Sequence, residues 1–396
     1  MRSAGKERGS AMTMSKWTRL LLAVVLPLAG CKGFWDAPPS SGGGGGGGTG
    51  ASGGVFYVLN QATTQIAAFS IVNGQLTAVS GSPYALASIP YSIAIAPNGG
   101  FLYVGTAQGI YLYAIGSGGA LTLANNASVI SSDLATTMQV DSTGSWLLEA
   151  GPNFAELLAI AINPSTGIPA SGIELNTILP AVTIQQIAIS PDNTHVYVTM
   201  GTSGTQEVVF AAGNSVPFGT SVNIPVKQIG GAALSAAVDP QNRLLYIGET
   251  AATSGSNAGG LRVLDYNTLI ELSGSPFASG GLAPYSILPM SSGNIVYIAN
   301  RNVSGSSTGN IAGYSISSSG TTYSLTPLGN TASTGTAPVE MAVESTGTYL
   351  LVVNSGGGPD LNAYTFDSTI IGKLDSALTS STGTDPVQAS AIAALP

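Results

Sequence analysis

Pro90-Tyr91-Ser92-Ile93-Ala94-Ile95-Ala96-Pro97-Asn98-Gly99-Gly100-Phe101-Leu102-Tyr103-Val104 is the stretch on which the fold turns. It begins as an alternating segment, passes through an Asn-Gly turn and ends in an aromatic-aliphatic run, which reads as a strand, a hairpin and a second strand. Aligned on Pro90, further copies begin at Ala135, Ile184, Ala233, Pro284, Pro338 and Pro386, in steps of 45, 49, 49, 51, 54 and 48 residues. Periods of this size mark a propeller or a solenoid, because one such unit cannot bury its own apolar face.

Within each copy the third and fifth positions after the opening residue are mostly apolar: Ile93 and Ile95, Met138 and Val140, Ile187 and Ile189, Ala236 and Val238, Met341 and Val343. The second position is polar in all seven: Ser92, Thr137, Gln186, Ser235, Ser286, Glu340 and Gln388. A period of two is that of a strand. The second strands carry Phe56-Tyr57-Val58, Leu102-Tyr103-Val104, Val196-Tyr197-Val198, Leu245-Tyr246-Ile247 and Val296-Tyr297-Ile298, residues suited to a tightly packed pleated surface. A third strand (Ile110 to Ile115, Leu261 to Tyr266) and a shorter fourth complete each unit, and no useful amphipathic helical pattern follows residue 54. Val55 starts at a second strand, whereas Pro386 to Ile392 is an opening segment with nothing after it. The C-terminal strand is therefore expected to complete the first blade. The expected fold class is all-β, a seven-bladed β-propeller over residues 55–396, closed so that no open array edge remains.

The N-terminal region reads differently. Lys16 and Arg19 precede the apolar run Leu20 to Leu28, and Leu28-Ala29-Gly30-Cys31 resembles the lipobox of bacterial lipoproteins. Residues 1–30 are expected to be a lipoprotein signal peptide, too short in its apolar part for a stable spanning helix. Cys31, the only cysteine, is expected to carry the lipid, and residues 31–54, with glycine from Gly42 to Gly48, form a flexible tether. Translation from Met12 or Met14 would give the signal a more usual length. Lys32 after the cysteine favours the outer membrane of a bacterial envelope. Six of the eleven basic residues fall in the first 32 positions, leaving five basic against seventeen acidic side chains from Gly54 onward, a net −12. Such a surface repels phosphate backbones, so nucleic acid is excluded as a partner.

The Pro-x-x-x-Ala-x-x-Pro-x-Gly-x-x-Leu-Tyr-Val pattern resembles that of the lactonase-like seven-bladed propellers related to 6-phosphogluconolactonase and carboxymuconate cyclase. Tyr57-Val58-Leu59-Asn60 and Tyr297-Ile298-Ala299-Asn300 are also similar to the Tyr-Val-x-Asn strands of surface-protein propellers. The resemblance covers about residues 55 to 396 and implies the fold more strongly than any activity. For the lactonases it implies a histidine, arginines and a carboxylate at one channel rim.

Strand direction sorts the loops. Connections from second to third strand, and from a fourth strand to the next first strand, share one rim, here called the first rim. The two hairpins of each blade share the opposite rim. Ligands are expected at the first rim. The single histidine, His195, lies in the hairpin Pro191 to Tyr197 at the opposite rim and is expected to be a solvated turn residue, as is Arg243. No catalytic residue of the lactonases can be carried over. The candidate ligand-binding residues are Glu340, the one carboxylate among the second positions; Tyr91 and Tyr285, one place earlier; Arg301 and Glu249 in second-to-third loops, with Asn60, Asn300 and Asn354; and Gln185, Gln186 and Gln388. Glu149 occupies a column otherwise filled by Val58, Val104, Val198, Ile247, Ile298 and Val352, so it is either a buried carboxylate or the mark of a register shift that exposes it. One histidine and no free thiol in the mature chain leave no metal motif, and no cofactor is expected. Asp141 and Asp239 read as turn caps. The leading expectation is a non-catalytic propeller on a lipid anchor, binding a polar small molecule, glycan or protein at the channel mouth. The alternatives are a lactone hydrolase or related isomerase using Glu340 and Arg301, and a structural envelope protein.

Overall fold

The computed structural model describes residues 54–396 except 73, 153–154 and 381–387. The expected signal peptide, Cys31, most of the tether and Pro386 lie outside the described residues. Seven antiparallel sheets follow one another along the chain. Blade 2 shows the pattern: Pro90–Ile95, Phe101–Thr106, Gly109–Ile115 and Leu121–Leu123, in that order across the sheet. Blades 3 to 7 begin at Thr137–Val140, Gln186–Ile189, Ala233–Val238, Pro284–Pro289 and Pro338–Val343. Blade 1 is assembled from both ends of the propeller: Ala389–Ala394 pairs with Val55–Asn60, which pairs with Gln65–Val72 and on to Gln75–Ala78. The ring is closed as the alternation predicts. Fourth strands are not uniformly short. Those of blades 3, 4 and 7 span 10, 7 and 7 residues, against 3 and 2 in blades 2 and 5.

The recurring tyrosine of the second strand explains how blades lock together. Tyr57, Tyr103 and Tyr297 are buried, and each hydroxyl donates to the carbonyl of a glycine in the third-to-fourth hairpin of the next blade: Gly119 at 2.8 Å, Gly167 at 2.9 Å and Gly372 at 3.0 Å. A buried phenol needs such a partner, and the ring supplies the apolar area around it. Each acceptor is a positive-φ glycine. A side chain on Gly119 or Gly167 would meet Val55 at 2.5 Å or Phe101 at 2.7 Å, so the close approach excludes a Cβ there.

The hairpins of the opposite rim are held by carboxylates, as expected of Asp141 and Asp239. Asp141 accepts from the backbone N–H groups of Thr143, Ser145 and Trp146, while Glu344 accepts from those of Thr346, Thr348 and Tyr349. Asp239 accepts from Gln241 N at 2.9 Å and takes two further bonds from Arg243, at 2.8 and 2.6 Å. His195 departs from the solvated reading. Its side chain is half-buried, with Nδ1 2.9 Å from the hydroxyl of Tyr266 in blade 5 and Nε2 3.7 Å from Glu207. Tyr266 also donates to Asp192 at 2.9 Å. Burial, with Asp192 beside it, pushes the Tyr266 phenol up to about 12. Burial also acts to raise the Asp192 carboxyl, but the donors Ser190, Thr194 and Tyr266 outweigh it and leave that group below its usual value. Blade 4 lacks the tyrosine-to-glycine bond, because Tyr197 turns to Glu207 in its own blade at 3.2 Å. The His195–Tyr266 contact supplies a different link to blade 5.

Candidate site at the first rim

The second positions of the innermost strands form a ring of joints. Ser92 donates to Ala135 O (2.7 Å), Thr137 accepts from Ile187 N (3.1 Å), and Gln186 accepts from Ala236 N (2.8 Å). Ser235 donates to Pro284 O (2.8 Å), Ser286 accepts from Met341 N (3.2 Å), and Glu340 accepts from Ile392 N (2.6 Å). Each bond crosses from one blade to the next. Gln186 and Glu340 are thus buried in inter-blade bonds. Polarity at this position belongs to assembly.

The closing strand corrects the alignment made on Pro386. Ala391 pairs with Leu59 and Ala389 with Asn60, as Ser92 pairs with Gly105 and Pro90 with Thr106. The equivalent of Ser92 is therefore Ala391, three residues beyond Gln388. Gln388 precedes the strand, is exposed, and has φ +78°. Its N–H donates to Ser355 O at 2.9 Å and its carbonyl accepts from Gln61 N at 3.1 Å. The physical reason lies in the partner strand: matching Ile392 to Val58 buries both, and a three-residue slip would invert the faces of the strand.

A bulge recurs one place before the joint. The register shifts between Pro90 and Ser92, Ala233 and Ser235, Pro284 and Ser286, and Pro338 and Glu340. Tyr91 and Tyr285 are the extra residues of their bulges, and bulges re-aim side chains beside functional sites. Tyr285 carries the guanidinium of Arg301 over its ring, 4.8 Å from the centroid. Arg301 Nη2 also donates to Ser355 Oγ at 3.4 Å, and its backbone N–H donates to Ala283 O at 2.8 Å. Ser355 occupies in blade 7 the position that Arg301 occupies in blade 6, and Gln61 does so in blade 1. Tyr285, Arg301, Ser355, Gln388 and Gln61 thus form a continuous polar arc across blades 6, 7 and 1. Tyr91, in blade 2, lies three blades round the ring from Arg301.

Glu249 is not part of that arc. It is buried and ion-paired with Arg262 at 2.8 Å, with a second oxygen accepting from Lys227 N at 2.8 Å. Glu271 joins the same network through Lys227 at 2.8 Å and Arg262 at 3.4 Å. Burial tends to raise the Glu271 carboxyl, but Lys227, Ser275 and Arg262 prevail and leave it below its usual value. Glu149 stays in its column opposite Met138 and is 1% exposed, so no register shift brings it out. Ser131 Oγ lies 3.4 Å away and donates to Asp133 at 2.9 Å. Asn300 and Asn354 are buried, bonding to Ser279 O at 2.6 Å and Pro359 O at 2.8 Å, so they brace the loops that follow them. Among the described residues, no group of three or more His, Cys, Asp or Glu is placed to hold a metal ion.

The five cations of the described chain now separate. Lys227, Arg243, Arg262 and Lys373 are each paired with a carboxylate. Arg301, among the described residues, has none, and rests on an aromatic ring at the channel mouth instead. Sequence reading chose Arg301 and Tyr285. It missed Ser355, whose signal was its position one place past Asn354, and Arg262, concealed inside a third strand.

No protein-family model matches the chain, and no curated protein is found as a relative. Solved structures do match. The periplasmic gluconolactonase of Pseudomonas aeruginosa superposes with a TM-score of 0.66 at 15% identity, over 87% of this chain and 99% of that one. A provisionally assigned 6-phosphogluconolactonase of Bacteroides fragilis gives 0.66 at 14% identity, over 89% and 100%. The fold is the lactonase-like seven-bladed propeller. The same architecture also matches hydrazine synthase of Kuenenia stuttgartiensis, with a TM-score of 0.55 at 14% identity over 75% of this chain and 88% of that one. One propeller thus carries unrelated chemistries, and the likeness alone assigns none.

Proposed function

We propose that the first rim binds a small polar ligand of the lactone or sugar-acid class, with Arg301 receiving its carboxylate or carbonyl oxygen. The observation that carries this reading is the state of Arg301: held over the ring of Tyr285, touched by Ser355, and without a carboxylate partner among the described residues. A guanidinium held over an aromatic face keeps N–H donors available for a planar oxyanion. Ser355, Gln61 and the backbone around Gln388 offer donors and acceptors for ligand hydroxyls. A net charge of −12 on the folded part disfavours highly anionic ligands and leaves this cation as a local exception.

The neighbours named as lactonases favour a second reading over an inert receptor: hydrolysis of a lactone at this rim. Arg301 would then stabilise the oxyanion formed when water attacks the ring carbonyl. Neither Glu340 nor Glu249 suits the role of base, since both are buried in bonds that hold blades or loops together. Calorimetric titration with glucono-lactone and gluconate, beside an assay of lactone hydrolysis, separates the readings. Binding without turnover supports the receptor, and turnover lost in Arg301→Ala supports the hydrolase. Absence of binding to either compound, with the protein folded, rejects the ligand class. For Arg301→Ala, the loss of one charge-assisted contact is expected to weaken binding by about 10- to 100-fold.

Placement in the envelope belongs to the same proposal. Acylation at Cys31 after removal of residues 1–30 would leave the propeller on a tether outside the cytoplasm, at the outer membrane. Cys31→Ser should move the protein from the membrane to the soluble fraction, and unchanged association would reject the anchor.

A further inference from the structure

The propeller begins at one particular rim. Gly54 and Val55 enter the second strand of blade 1 at its hairpin end, where Gly54 lies against Glu344 and Ser345 in the hairpin of blade 7. The chain preceding residue 54 therefore joins at the opposite rim, away from Arg301. That rim also displays aliphatic residues at the tips of its outer hairpins. Ile168 in blade 3, Val216 in blade 4, Ile270 in blade 5 and Ile370 and Ile371 in blade 7 are exposed by 40%, 64%, 69%, 48% and 78%. They are spread over four blades of that rim and do not form a single patch.

Two carboxylates close to these tips are engaged within their own turns. Asp265, five residues before Ile270, accepts from Asn267 N, Thr268 N and Thr268 Oγ1. Asp367, before Ile370, accepts from Thr369, Ile370 and Lys373, and these donors hold its carboxyl below the usual range with Lys373 the largest influence. Asp265 and Asp367 thus bond within their own turns, while Ile270, Ile370 and Ile371 beside them stay exposed.

We propose that this rim rests on the bilayer that holds the lipid anchor, with the hairpin tips dipping into the headgroup layer and the Arg301 rim facing away. The inference rests on acylation at Cys31. From Cys31 to Val55 the tether has a root-mean-square reach of about 25–30 Å if it behaves as a flexible glycine-rich chain. That keeps the rim it joins at high local concentration beside the membrane, so even weak insertion of a few aliphatic side chains is populated. Exposed aliphatics also occur at the first rim, among them Ile178 and Ile229. What separates the two faces is the point where the tether enters.

Single cysteines in place of Ile270, Val216 and, on the first rim, Ile229 test this orientation, because an acylated Cys31 leaves the introduced thiol as the only one to label. The full acylated chain, labelled with an environment-sensitive fluorophore, is reconstituted in phosphatidylethanolamine–phosphatidylglycerol vesicles containing brominated acyl chains. Flotation first establishes that the protein is anchored. Quenching several-fold greater at Ile270→Cys and Val216→Cys than at Ile229→Cys is the expected result. Equal quenching at the two rims, none at either, or stronger quenching at Ile229→Cys in floating protein overturns the orientation. Failure to float rejects acylation itself and the inference with it, and the two failures are distinguished by that step.

Discussion

Arg262 and Arg301 sit in adjacent blades and meet opposite circumstances. Arg262 is buried between Glu249 and Glu271, within a network that also takes Lys227. Arg301 lies on a tyrosine at the channel mouth with a serine beside it. The first guanidinium is balanced by the protein and the second, among the described residues, is not. A charge balanced in the interior contributes to assembly, whereas one left balanced by solvent at a concave rim can exchange that solvent for a ligand.

Both environments depend on ring closure, and the largest effect is expected from undoing it. Deleting Ala389–Pro396 removes the partner of Val55–Asn60 and the Ile392 N–H that donates to Glu340, exposing an apolar edge. Soluble yield should collapse, and a truncated protein that melts with the full chain would break the picture of a closed ring. Next in size is Arg262→Met, which leaves Glu249 buried without its cation and should cost about 3–5 kcal/mol in denaturant unfolding. A near-neutral result would show that Glu249 finds relief elsewhere.

The same network should register acid. Glu271 titrates below its unfolded value, so its contribution is complete above the unfolded value of about 4.3 and is lost as pH falls through the lower folded value. Glu271→Gln should therefore narrow the stability difference between neutral pH and pH about 3, measured by thermal melts. A variant with unchanged acid sensitivity would remove Glu271 from the account. The smallest effect sharpens the contrast: Arg301→Met should change stability by no more than about 0.5 kcal/mol. A loss as great as that of Arg262→Met would make Arg301 a structural residue and withdraw the ligand site.

The legible part of this molecule was whatever repeats. Period-two alternation, a glycine or asparagine in the first hairpin and the second-strand tyrosine each recur, and they reappear as strands, positive-φ turns at Gly99, Gly144, Asn193, Asn242, Gly293 and Gly347, and inter-blade bonds from Tyr57, Tyr103 and Tyr297. The second positions were legible as a polar ring but not as joints, because a polar residue facing a neighbouring backbone and one facing a ligand have the same pattern along the chain. Gln388 was misaligned because a terminal copy has no following strand to fix its register, and only Ile392 opposite Val58 decides it. Arg301 could be chosen by its loop, whereas its lack of a carboxylate partner among the described residues depends on where Glu340, Glu249 and Glu149 point. Those contacts come from residues far apart in sequence.

Six of the seven seams between innermost strands carry a side-chain joint, and at the remaining seam, from blade 1 to blade 2, the position is held by Ala391. Translation produces this strand after every other strand of the propeller. Until it arrives, Val55–Asn60 has one unpaired flank and Glu340 lacks its Ile392 partner, so a nascent or prematurely ended chain keeps an apolar edge on display. Closure of the ring thus waits on the last strand of the propeller to be made.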